Sequence, residues 1–407
     1  MMPIARHARS YLRVLRLFAP ACVLGSLLAQ PGWAQDATIS ARYRGDAAGK
    51  FENTTPPANL CARWPNQCIG ESTVDLPISF TKTTVKGAVD FRHRYYVKVP
   101  SRRDVEVFNQ ASGERFTLQL QFSGIGQYME KVGTEGLLPV NGYQGGLVGG
   151  CTLLNSVHWQ NLRAQYLWGV RNPQAPEACH NEHRDAPDGE TVSMVVLETG
   201  VLFRLIMPAA VSMPQGQYRG STQYSVGSGG DFDFGNAVTD LNDNLLTVHF
   251  VLDVQHDLHL WFPPGSERAV LEPPGGWLAW LGGRRQPSKL SRDMPFRLSS
   301  SGPLKIYKLC QYDQGSQCAI RNTSAHQVPV EIALSLPAVS AQQGRPISRL
   351  SIPTGKALAV ELRPRDGLFS RQGQLHFDVT GEALTAMLAQ PGSRYEGQAT
   401  VVFDAEL

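Results

Sequence analysis

Apolar and polar side chains alternate along many short stretches of this chain, so that every second residue falls on the same face. Near the C-terminus, Ala399, Val401 and Phe403 share one face in this way. A period of two, rich in β-branched and aromatic residues, predicts half-buried β-strands. Further strands are predicted at 74–81, 89–99, 115–122, 191–207, 244–254, 258–263, 304–310, 328–336, 357–362 and 374–379.

These segments are separated by turn residues, and no helix is predicted between them. Glycine (39 residues) and proline (27) are abundant, whereas charged residues make up only 18% of the chain. The pattern predicts an all-β fold of two tandem immunoglobulin-like β-sandwich domains, at 35–254 and 258–407. Residues 35–60 show little periodicity and predict a loosely ordered N-terminal segment, and residues 255–257 predict a very short joint between the domains.

A seven-residue pattern occurs twice, as PQGQYRG at 214–220 and PGSRYEG at 391–397. Each copy precedes strand-like residues, but only the first is followed by a further strand, at 244–254. This repeat suggests two related β-domains, the second of which lacks its last strand. The alternative is that Tyr-x-Gly before a strand is common turn chemistry.

The first 34 residues have the features of a secretory signal peptide. An apolar run from Leu17 to Leu28 is too short for a permanent membrane anchor, and Gly32 and Ala34 are small residues at a predicted cleavage site. The mature protein is therefore expected to be exported. The basic residues before the run are Arg6, His7, Arg9, Arg13 and Arg16.

Seven cysteines become six when the leader and its Cys22 are removed. Six cysteines allow fifteen pairings, and the simplest interpretation is sequential pairing in an oxidising compartment. A zinc site is the alternative, but no Cys-x-x-Cys occurs. The sequential pairs are Cys61 with Cys68, Cys151 with Cys179, and Cys310 with Cys318.

The remaining chemistry argues against an enzyme and against nucleic acid as a partner. The net charge is only +3, and no Gly-x-Ser-x-Gly motif occurs. The segment 180–183 (HNEH) has no standard metal-ligand spacing, and Asp257 with His259 falls at the predicted joint. We therefore predict no catalytic residues, no cofactor and no metal ion.

Two groups of residues could bind a receptor. Basic side chains at 92–103 could hold an acidic or sulfated glycan, the alternative being a solvated basic strand. Aromatic side chains inside the second cysteine loop could stack on a sugar ring, the alternative being that they cover a small core. The candidates are Arg92, Arg94, Arg102, Arg103, Trp159, Tyr166 and Trp168. Trp277 and Trp280 belong to the second domain, where we expect them to pack against a groove or an insert.

Several short motifs, taken in order, resemble one protein family. They are the early cysteine pair followed by DLPISFT at 75–81, the second pair followed by IMPA at 206–209, LHLWFP at 258–263, LCQYD at 309–313, and the terminal Tyr-x-Gly strand. The chain is similar to the tip adhesins, or pilus biogenesis initiators, of class 5 fimbriae. These are the colonization-factor and cable-pilus type, assembled by the alternate chaperone–usher pathway.

The resemblance implies a receptor-binding first sandwich and an incomplete pilin-type second sandwich. A periplasmic chaperone and then the major pilin would each lend the missing strand at an outer-membrane usher, beside Ala399, Val401 and Phe403. The implied location is the fimbrial tip, with a host-surface glycan or protein as receptor. Arginines that better-known relatives carry after the Tyr-x-Gly turn are missing at 225–235. A purely structural initiator or cap therefore remains the alternative.

Overall fold

The computed structural model describes residues 35–45, 49–133, 148–160, 162–181, 188–281, 286–340, 346–363 and 367–405. The predicted signal peptide, Glu182 and His183 of the 180–183 segment, and most of the glycine-rich loop at 142–150 lie outside the described residues. Within these ranges the chain is mostly β-strand, which confirms the predicted all-β class.

Strands of the N-terminal half form one large sheet, in which twelve strands take part. The order along its main path is β14-β4-β12-β7-β6-β13-β15-β1-β2; β10 joins β7, β9 joins β10, and β3 joins β12. A second, three-stranded sheet has the order β5-β11-β8. The bounds are β1 Gln35–Arg44, β2 Glu52–Asn53, β3 Ser72–Leu76, β4 Phe80–Val85, β5 Tyr96–Val97, β6 Arg103–Asn109, β7 Arg115–Lys131, β8 Val148–Gly149, β9 Cys151–Trp159, β10 Arg163–Val170, β11 Cys179–His180, β12 Thr191–Ile206, β13 Gly216–Ser225, β14 Val238–Thr239 and β15 Leu245–Gln255. Two one-turn helices, α1 Leu60–Arg63 and α2 Pro65–Cys68, lie between β2 and β3.

Strands β7 and β12 each pair with three other strands: β7 with β6, β10 and β12, and β12 with β3, β4 and β7. They are 17 and 16 residues long, and β12 has register shifts between Val196 and Glu198 and between Leu202 and Phe203. Bulges of this kind bend a strand and increase its twist. The bent sheet encloses a single large core that runs from Ala37 to Val254.

The first strand corrects the expected loose segment at 35–60. Strand β1 pairs in parallel with β15 over ten residues, from Gln35 opposite Leu246 to Arg44 opposite Gln255. Ala37, Ile39, Ala41 and Tyr43 are all buried. The alternation was present in the sequence, but its partner lies some 200 residues away and local pattern does not reveal it.

Two other predicted strands are largely turns. Residues 89–99 contain a 3₁₀ turn at Phe91–His93, held by the Asp90 carboxylate, which accepts the Arg92 amide at 3.0 Å. Only Tyr96–Val97 is strand there. The predicted strand 357–362 likewise begins with a 3₁₀ turn, Lys356–Leu358. In both segments local hydrogen bonding competes successfully with sheet pairing.

The C-terminal half contains a seven-stranded sheet and a separate three-stranded sheet. The first has the order β16-β17-β24-β21-β20-β19 with β22 on β21, and the second has the order β23-β18-β25. Their inward side chains share one core. The bounds are β16 Leu258–Trp261, β17 Lys289–Ser300, β18 Leu304–Cys310, β19 Tyr312–Gln314, β20 Gln317–Arg321, β21 Gln327–Ser340, β22 Pro346–Ser351, β23 Val360–Leu362, β24 Leu368–Thr380 and β25 Ala399–Asp404, with helices α3 Leu278–Leu281 and α4 Gly381–Leu388.

Helix α4 corrects the expectation that no helix lies between the strands. Its sequence, GEALTAML, is rich in strong helix formers. Leu384 is buried, and Ala383, Met387 and Leu388 pack against the core of the C-terminal half. Among the described residues, no helix is long and apolar enough to cross a membrane.

All three sequential disulfides are present, as predicted. The third, Cys310–Cys318, joins β18 of the small sheet to β20 of the large one and so ties the two layers together. The described residues, all of which follow position 34, belong to one compact unit. The two halves touch where Tyr43 Oη donates to the carbonyl of Ser301 at 3.3 Å and the Asp257 amide donates to Ser301 Oγ at 2.8 Å. The division into two domains stays a prediction.

Candidate functional site

Strand β25 has a hydrogen-bonded neighbour on one side only. It pairs antiparallel with β18, from Ala399 opposite Cys310 to Asp404 opposite Lys305. No strand of the described residues pairs with its other side. We call this unpaired side the open edge. A row of free backbone N–H and C=O groups on an edge is a template for another strand.

Apolar side chains line the open edge without being fully covered. Val401 and Phe403 are half-buried and pack against the core, whereas Ala399 is exposed. The Phe403 ring lies 5.5 Å from that of Phe296, which is itself buried. The predicted common face of these three residues therefore exists, but only two of them reach the core.

The same buried ring connects β25 to the edge of the large sheet. Phe262, directly after edge strand β16, lies 5.6 Å from Phe296 and is partly exposed. Opposite Phe296 on β24 is Gly373, where a Cβ atom would come within 2.3 Å of the phenylalanine ring. Glycine at position 373 thus leaves room for the Phe296 ring. Phe262, Phe296 and Phe403 form an apolar floor between two sheet edges.

The opposite side of β18 is firmly held. Buried Lys308 donates its ammonium to the carbonyl of Ile352, and desolvation by burial lowers the pKa of this lysine. The Lys308 amide donates to Pro353 O at 2.8 Å, and Lys308 O accepts the Gly355 amide at 2.9 Å. A buried lysine was not foreseen from the sequence. Its contacts occupy the side of β18 that faces away from β25.

Most of the predicted receptor arginines are bound within the fold. Arg92 makes two hydrogen bonds to the Asp233 carboxylate, at 2.7 and 3.0 Å, and lies over the Tyr96 ring. Arg103 pairs with Asp231 at 2.9 Å and lies 4.2 Å from the centroid of the Tyr224 ring. These two arginines hold the loop 226–236 rather than forming a solvated basic face.

The other two arginines differ from each other. Arg94 donates Nε–H to the carbonyl of Ala88 at 3.0 Å and is half-buried. Arg102 is exposed, and no ion pair or hydrogen bond of its guanidinium is found in the described part of the chain. Among the four, Arg102 is the one whose charge is directed to solvent.

Two of the three predicted aromatic residues are core residues. Tyr166 and Trp168 are 0% exposed and stack on each other at 5.2 Å. They belong to the main core of the N-terminal half, not to a second small core. Trp159 is half-buried, with the Arg63 guanidinium 4.4 Å above its ring. A buried ring offers no face to a sugar, so stacking on a receptor is left to Trp159.

A buried lysine also supports the arginine region. Lys82 is 1% exposed and donates to the carbonyls of Arg92 at 3.0 Å, Phe234 at 2.9 Å and Asn236. Desolvation lowers the pKa of Lys82 to about 8, with the nearby Arg92 charge acting in the same direction. The Lys82 side chain therefore connects the 3₁₀ turn that contains Arg92 to the loop 226–236. Nothing in the sequence around KTTVKG distinguishes this lysine from a solvated one.

Polar side chains on the outer face of the large C-terminal sheet form a second unforeseen group. His376 lies between Ser335 Oγ at 2.8 Å and Asp293 Oδ1 at 2.7 Å. The order of atoms resembles a catalytic triad, but Ser335 Oγ already accepts the Arg349 amide at 3.0 Å and His376 is buried. Arg349 and Lys289 both pair with Asp378 beside it. These contacts join β17, β21, β22 and β24.

The tryptophans of the 275–283 segment do not form part of the apolar floor. Trp277 is 41% exposed, and Trp280 donates its indole N–H at 3.1 Å to the carbonyl of Pro274, directly before this segment. The described residues contain no group of three or more His, Cys, Asp or Glu side chains suited to a metal ion.

Comparison with known proteins gives several structural likenesses, among them two pilus adhesin structures. No family model matches the sequence, and no curated protein matches it. A crystal structure of a mutant of the CFA/I adhesin CfaE of enterotoxigenic E. coli is 8% identical; the match covers 91% of this chain and 92% of that one, with a TM-score of 0.24. The CsuC–CsuE chaperone–tip adhesion subunit complex from archaic chaperone–usher Csu pili of Acinetobacter baumannii is 11% identical, with coverages of 91% and 99% and a TM-score of 0.21. Both TM-scores are low, and neither structure decides the function of this chain.

Proposed function

We propose that this chain is a subunit of the fimbrial tip, exported through the periplasm to the cell surface. Its C-terminal half accepts a β-strand from a periplasmic chaperone and then from the major pilin, at an outer-membrane usher. Its N-terminal half binds a host-surface glycan or protein. The observation that carries the proposal is the open edge of β25 above the apolar floor of Phe262, Phe296 and Phe403.

A strand added at the open edge would both form new backbone hydrogen bonds and cover apolar side chains. Each new backbone hydrogen bond contributes about 1 kcal/mol, and side chains entering between the two edges would cover half-buried Val401 and Phe403. Strand addition of this kind takes its affinity from main-chain bonds and its specificity from alternate side chains. Because Ala399, Val401 and Phe403 lie along one face, we expect the donor to present apolar residues at alternate positions.

The receptor-binding part of the proposal rests on fewer residues. Arg102 is exposed, and Trp159 keeps part of its ring accessible beside Arg63. The second candidate function is a structural initiator that caps the fibre without binding a receptor. A specific observation favours it, because Arg92 and Arg103 are held by carboxylates and Tyr166 and Trp168 are buried.

Strand acceptance is tested by supplying the strand. We would fuse the N-terminal segment of the cognate major pilin after Leu407 through a short flexible linker, which gives an effective concentration on the order of millimolar. We expect the fused mature chain to be monomeric and to melt at least about 10 °C higher, as several kcal/mol imply for a domain of this size. A fusion with proline in mid-donor is the control, since proline cannot donate to the ladder. If the unfused chain melts at the same temperature as the fusion, the pilin function fails.

Receptor binding is tested separately on the mature chain. Binding to host cells and to a glycan array should fall in Arg102→Ala and Trp159→Ala, whereas Arg115→Ala serves as an exposed control on the same half. Loss of binding only in the first two variants supports an adhesin. No binding by the intact chain leaves the structural initiator as the function.

A further inference from the structure

A shallow cavity of about 360 Å³ lies on the outer face of the large C-terminal sheet, where β16, β17 and β24 meet. It is open to solvent on one side. Its lining residues are His259, Leu260, Trp261, Arg297, Ser299 and Ser370. None of them is acidic. We propose that this cavity binds an anionic sugar, a monosaccharide unit that carries a carboxylate.

The strand register places an aromatic ring beside a cation. Trp261 is opposite Arg297, and His259 is opposite Ser299, in the antiparallel pairing of β16 with β17. Side chains of directly opposite residues share one face of a sheet and lie close together. Trp261 is 55% exposed, an unusual position for so large an apolar side chain. Its ring is accessible for stacking on the C–H face of a sugar.

No carboxylate of the described residues neutralises the charge of Arg297. Its Nη1 donates to Ser370 Oγ at 3.3 Å, and no ion pair of this arginine is found among the described residues. This contrasts with Arg92 and Arg103, which both pair with aspartates. Among the described residues, only Nη1 of this guanidinium has a hydrogen-bond partner, and its remaining N–H donors, beside an exposed tryptophan, match the two oxygens of a carboxylate.

The serines of the cavity are positioned by an irregular backbone. Ser370 has a φ of +49°, a left-handed conformation that is uncommon for a residue other than glycine. It lies where the pairing of β17 with β24 shifts between Leu298 and Ser300, and its amide donates to Ser299 Oγ at 2.9 Å. Bulges often redirect side chains at binding sites. Here the bulge brings two hydroxyl groups to the cavity beside Arg297.

Size and composition together select the ligand class. The volume is at the lower end of the roughly 300–1,000 Å³ that is typical for small-molecule sites, so the cavity suits one sugar ring and not an oligosaccharide. The ring stacks on Trp261, its carboxylate binds Arg297, and its hydroxyl groups exchange hydrogen bonds with Ser299, Ser370 and His259. This site goes beyond the proposed function, since it lies outside both the open edge and the N-terminal half.

The test uses the mature chain and three probes, which are the methyl glycosides of N-acetylneuraminic acid, glucuronic acid and galactose. Tryptophan fluorescence and saturation-transfer NMR follow the binding. We expect at least one acidic glycoside to bind with a Kd on the order of millimolar, at least tenfold tighter than the galactoside. Raising the salt to 1 M should weaken the acidic ligand several-fold.

Matched variants assign the binding to the cavity. Arg297→Ala should weaken the acidic ligand at least tenfold, whereas Arg292→Ala, an exposed arginine on the same strand, should leave it unchanged. Trp261→Ala should weaken it, and Trp261→Phe should retain binding within about threefold. Should Arg297→Ala not fold, Arg297→Lys keeps the charge, loses the bidentate fork and should weaken binding about threefold to tenfold.

Several results would overturn the proposal. They are equal binding of the galactoside and the acids, no binding of either acid at 50 mM (about the limit for a millimolar site), or equal effects of Arg292→Ala and Arg297→Ala. Tighter binding of an acetyl-Glu-Asp-Glu amide peptide than of either acid would assign the cavity to acidic peptides instead. Strand acceptance is read from the melting of the donor fusion, which does not involve Arg297, so the two proposals fail independently.

Discussion

The two copies of the Pro-x-x-x-Tyr-x-Gly pattern lead into strands with opposite surroundings. Strand β13, which contains the end of the first copy, is paired on both sides, with β6 and with β15. Strand β25, which follows the second copy, pairs with β18 and with no other strand of the described residues. Next to β13, β15 is also paired on both sides, with β13 and β1, and its inward residues are all at most 1% exposed; these are Leu246, Val248, Phe250, Leu252 and Val254. The comparison teaches that alternation alone does not bury a strand; a neighbour on each side does.

The tyrosines of the two copies have also taken different roles. Tyr218 is buried and donates Oη–H to the carbonyl of Pro214 at 2.7 Å, four residues upstream. This is the arrangement of the tyrosine corner of β-sandwiches. Tyr395 is half-exposed and bonds His326 Nδ1 at 2.8 Å instead. The shared pattern therefore does not produce the same side-chain contact in the two copies.

The largest expected difference between the two regions is their tolerance of a buried charge. Val248→Asp places an unpaired carboxylate in the core and should destabilise the N-terminal half by about 4 kcal/mol or more. Val401→Asp, on half-buried β25, should cost about 1 kcal/mol in the unfused chain, because the carboxylate reaches solvent. It should nevertheless weaken the stabilisation by a donor strand. Urea unfolding, followed by tryptophan fluorescence, measures the cost of each substitution in the free energy of unfolding and the stabilisation by the donor strand.

Val248→Thr and Val401→Thr are the size-matched controls, since they change polarity without adding charge. Equal costs of the two aspartate variants in the unfused chain would mean that β25 is as enclosed as β15.

A buried lysine in each half gives a pH-dependent comparison. The folded pKa of Lys82 is about 8 and its unfolded value is 10.5. The unfolded state therefore binds more protons between these values, and the contribution of Lys82 to stability rises as the pH increases from 8 to 10.5. The gain is on the order of 2–3 kcal/mol. It should vanish in Lys82→Met, and the difference between wild type and variant should grow with pH.

Lys308→Met is the comparison variant, with a shift in the same direction in the C-terminal half. Measuring differences between each variant and wild type at about pH 7 to 10 removes the effect of the tyrosines, since both proteins carry them. Burial raises the pKa of Tyr218 and Tyr224 to about 12, which lowers stability only above about pH 10. If the difference in the free energy of unfolding between wild type and Lys82→Met does not change with pH, the amine of Lys82 is not buried and desolvated.

The glycines that end the two copies test a constraint that both regions share. A Cβ atom on Gly220 would lie 2.3 Å from Glu106 O, and one on Gly397 would lie 2.7 Å from Ala319 O. Gly220→Ala should therefore cost about 2 kcal/mol and Gly397→Ala about 1 kcal/mol. Thermal melting of each variant against wild type gives the two values. A neutral Gly220→Ala would show that β6 and β13 can separate without cost.

The smallest expected effect concerns the two tyrosine hydroxyl groups. Tyr218→Phe removes a buried hydrogen bond and leaves the Pro214 carbonyl unpaired, at a cost of about 1–2 kcal/mol. Tyr395→Phe should cost less than about 0.5 kcal/mol, because water can replace the hydroxyl group. Both substitutions keep the shape of the side chain. The difference between their costs in stability is measured from the midpoints of denaturant unfolding curves that have the same slope. Equal costs would indicate that Tyr395 also supports a corner.

The sequence by itself determined the strand class, the position of most strands and the three local disulfides. Strand alternation and disulfides between cysteines seven, eight or 28 residues apart are encoded by nearby residues. Helix α4 was encoded locally too, by its strong helix formers, although no helix was expected there. What the sequence left undecided concerned partners that are distant along the chain, since periodicity shows which face is apolar but not which strand lies beside it.

Only the tertiary structure decided which residues are available for function. Arg92 and Arg103 are basic residues in the sequence, but Asp233 and Asp231, more than a hundred residues away, pair with their guanidinium groups. Tyr166 and Trp168 are core residues, and Lys82 is buried with its ammonium group hydrogen-bonded to three carbonyl groups. In contrast, β25 pairs with β18 on one side, whereas β13, which contains the end of the first copy of the seven-residue pattern, has a strand on each side. Burial and pairing are properties of long-range contacts, and those contacts assign the function of each side chain.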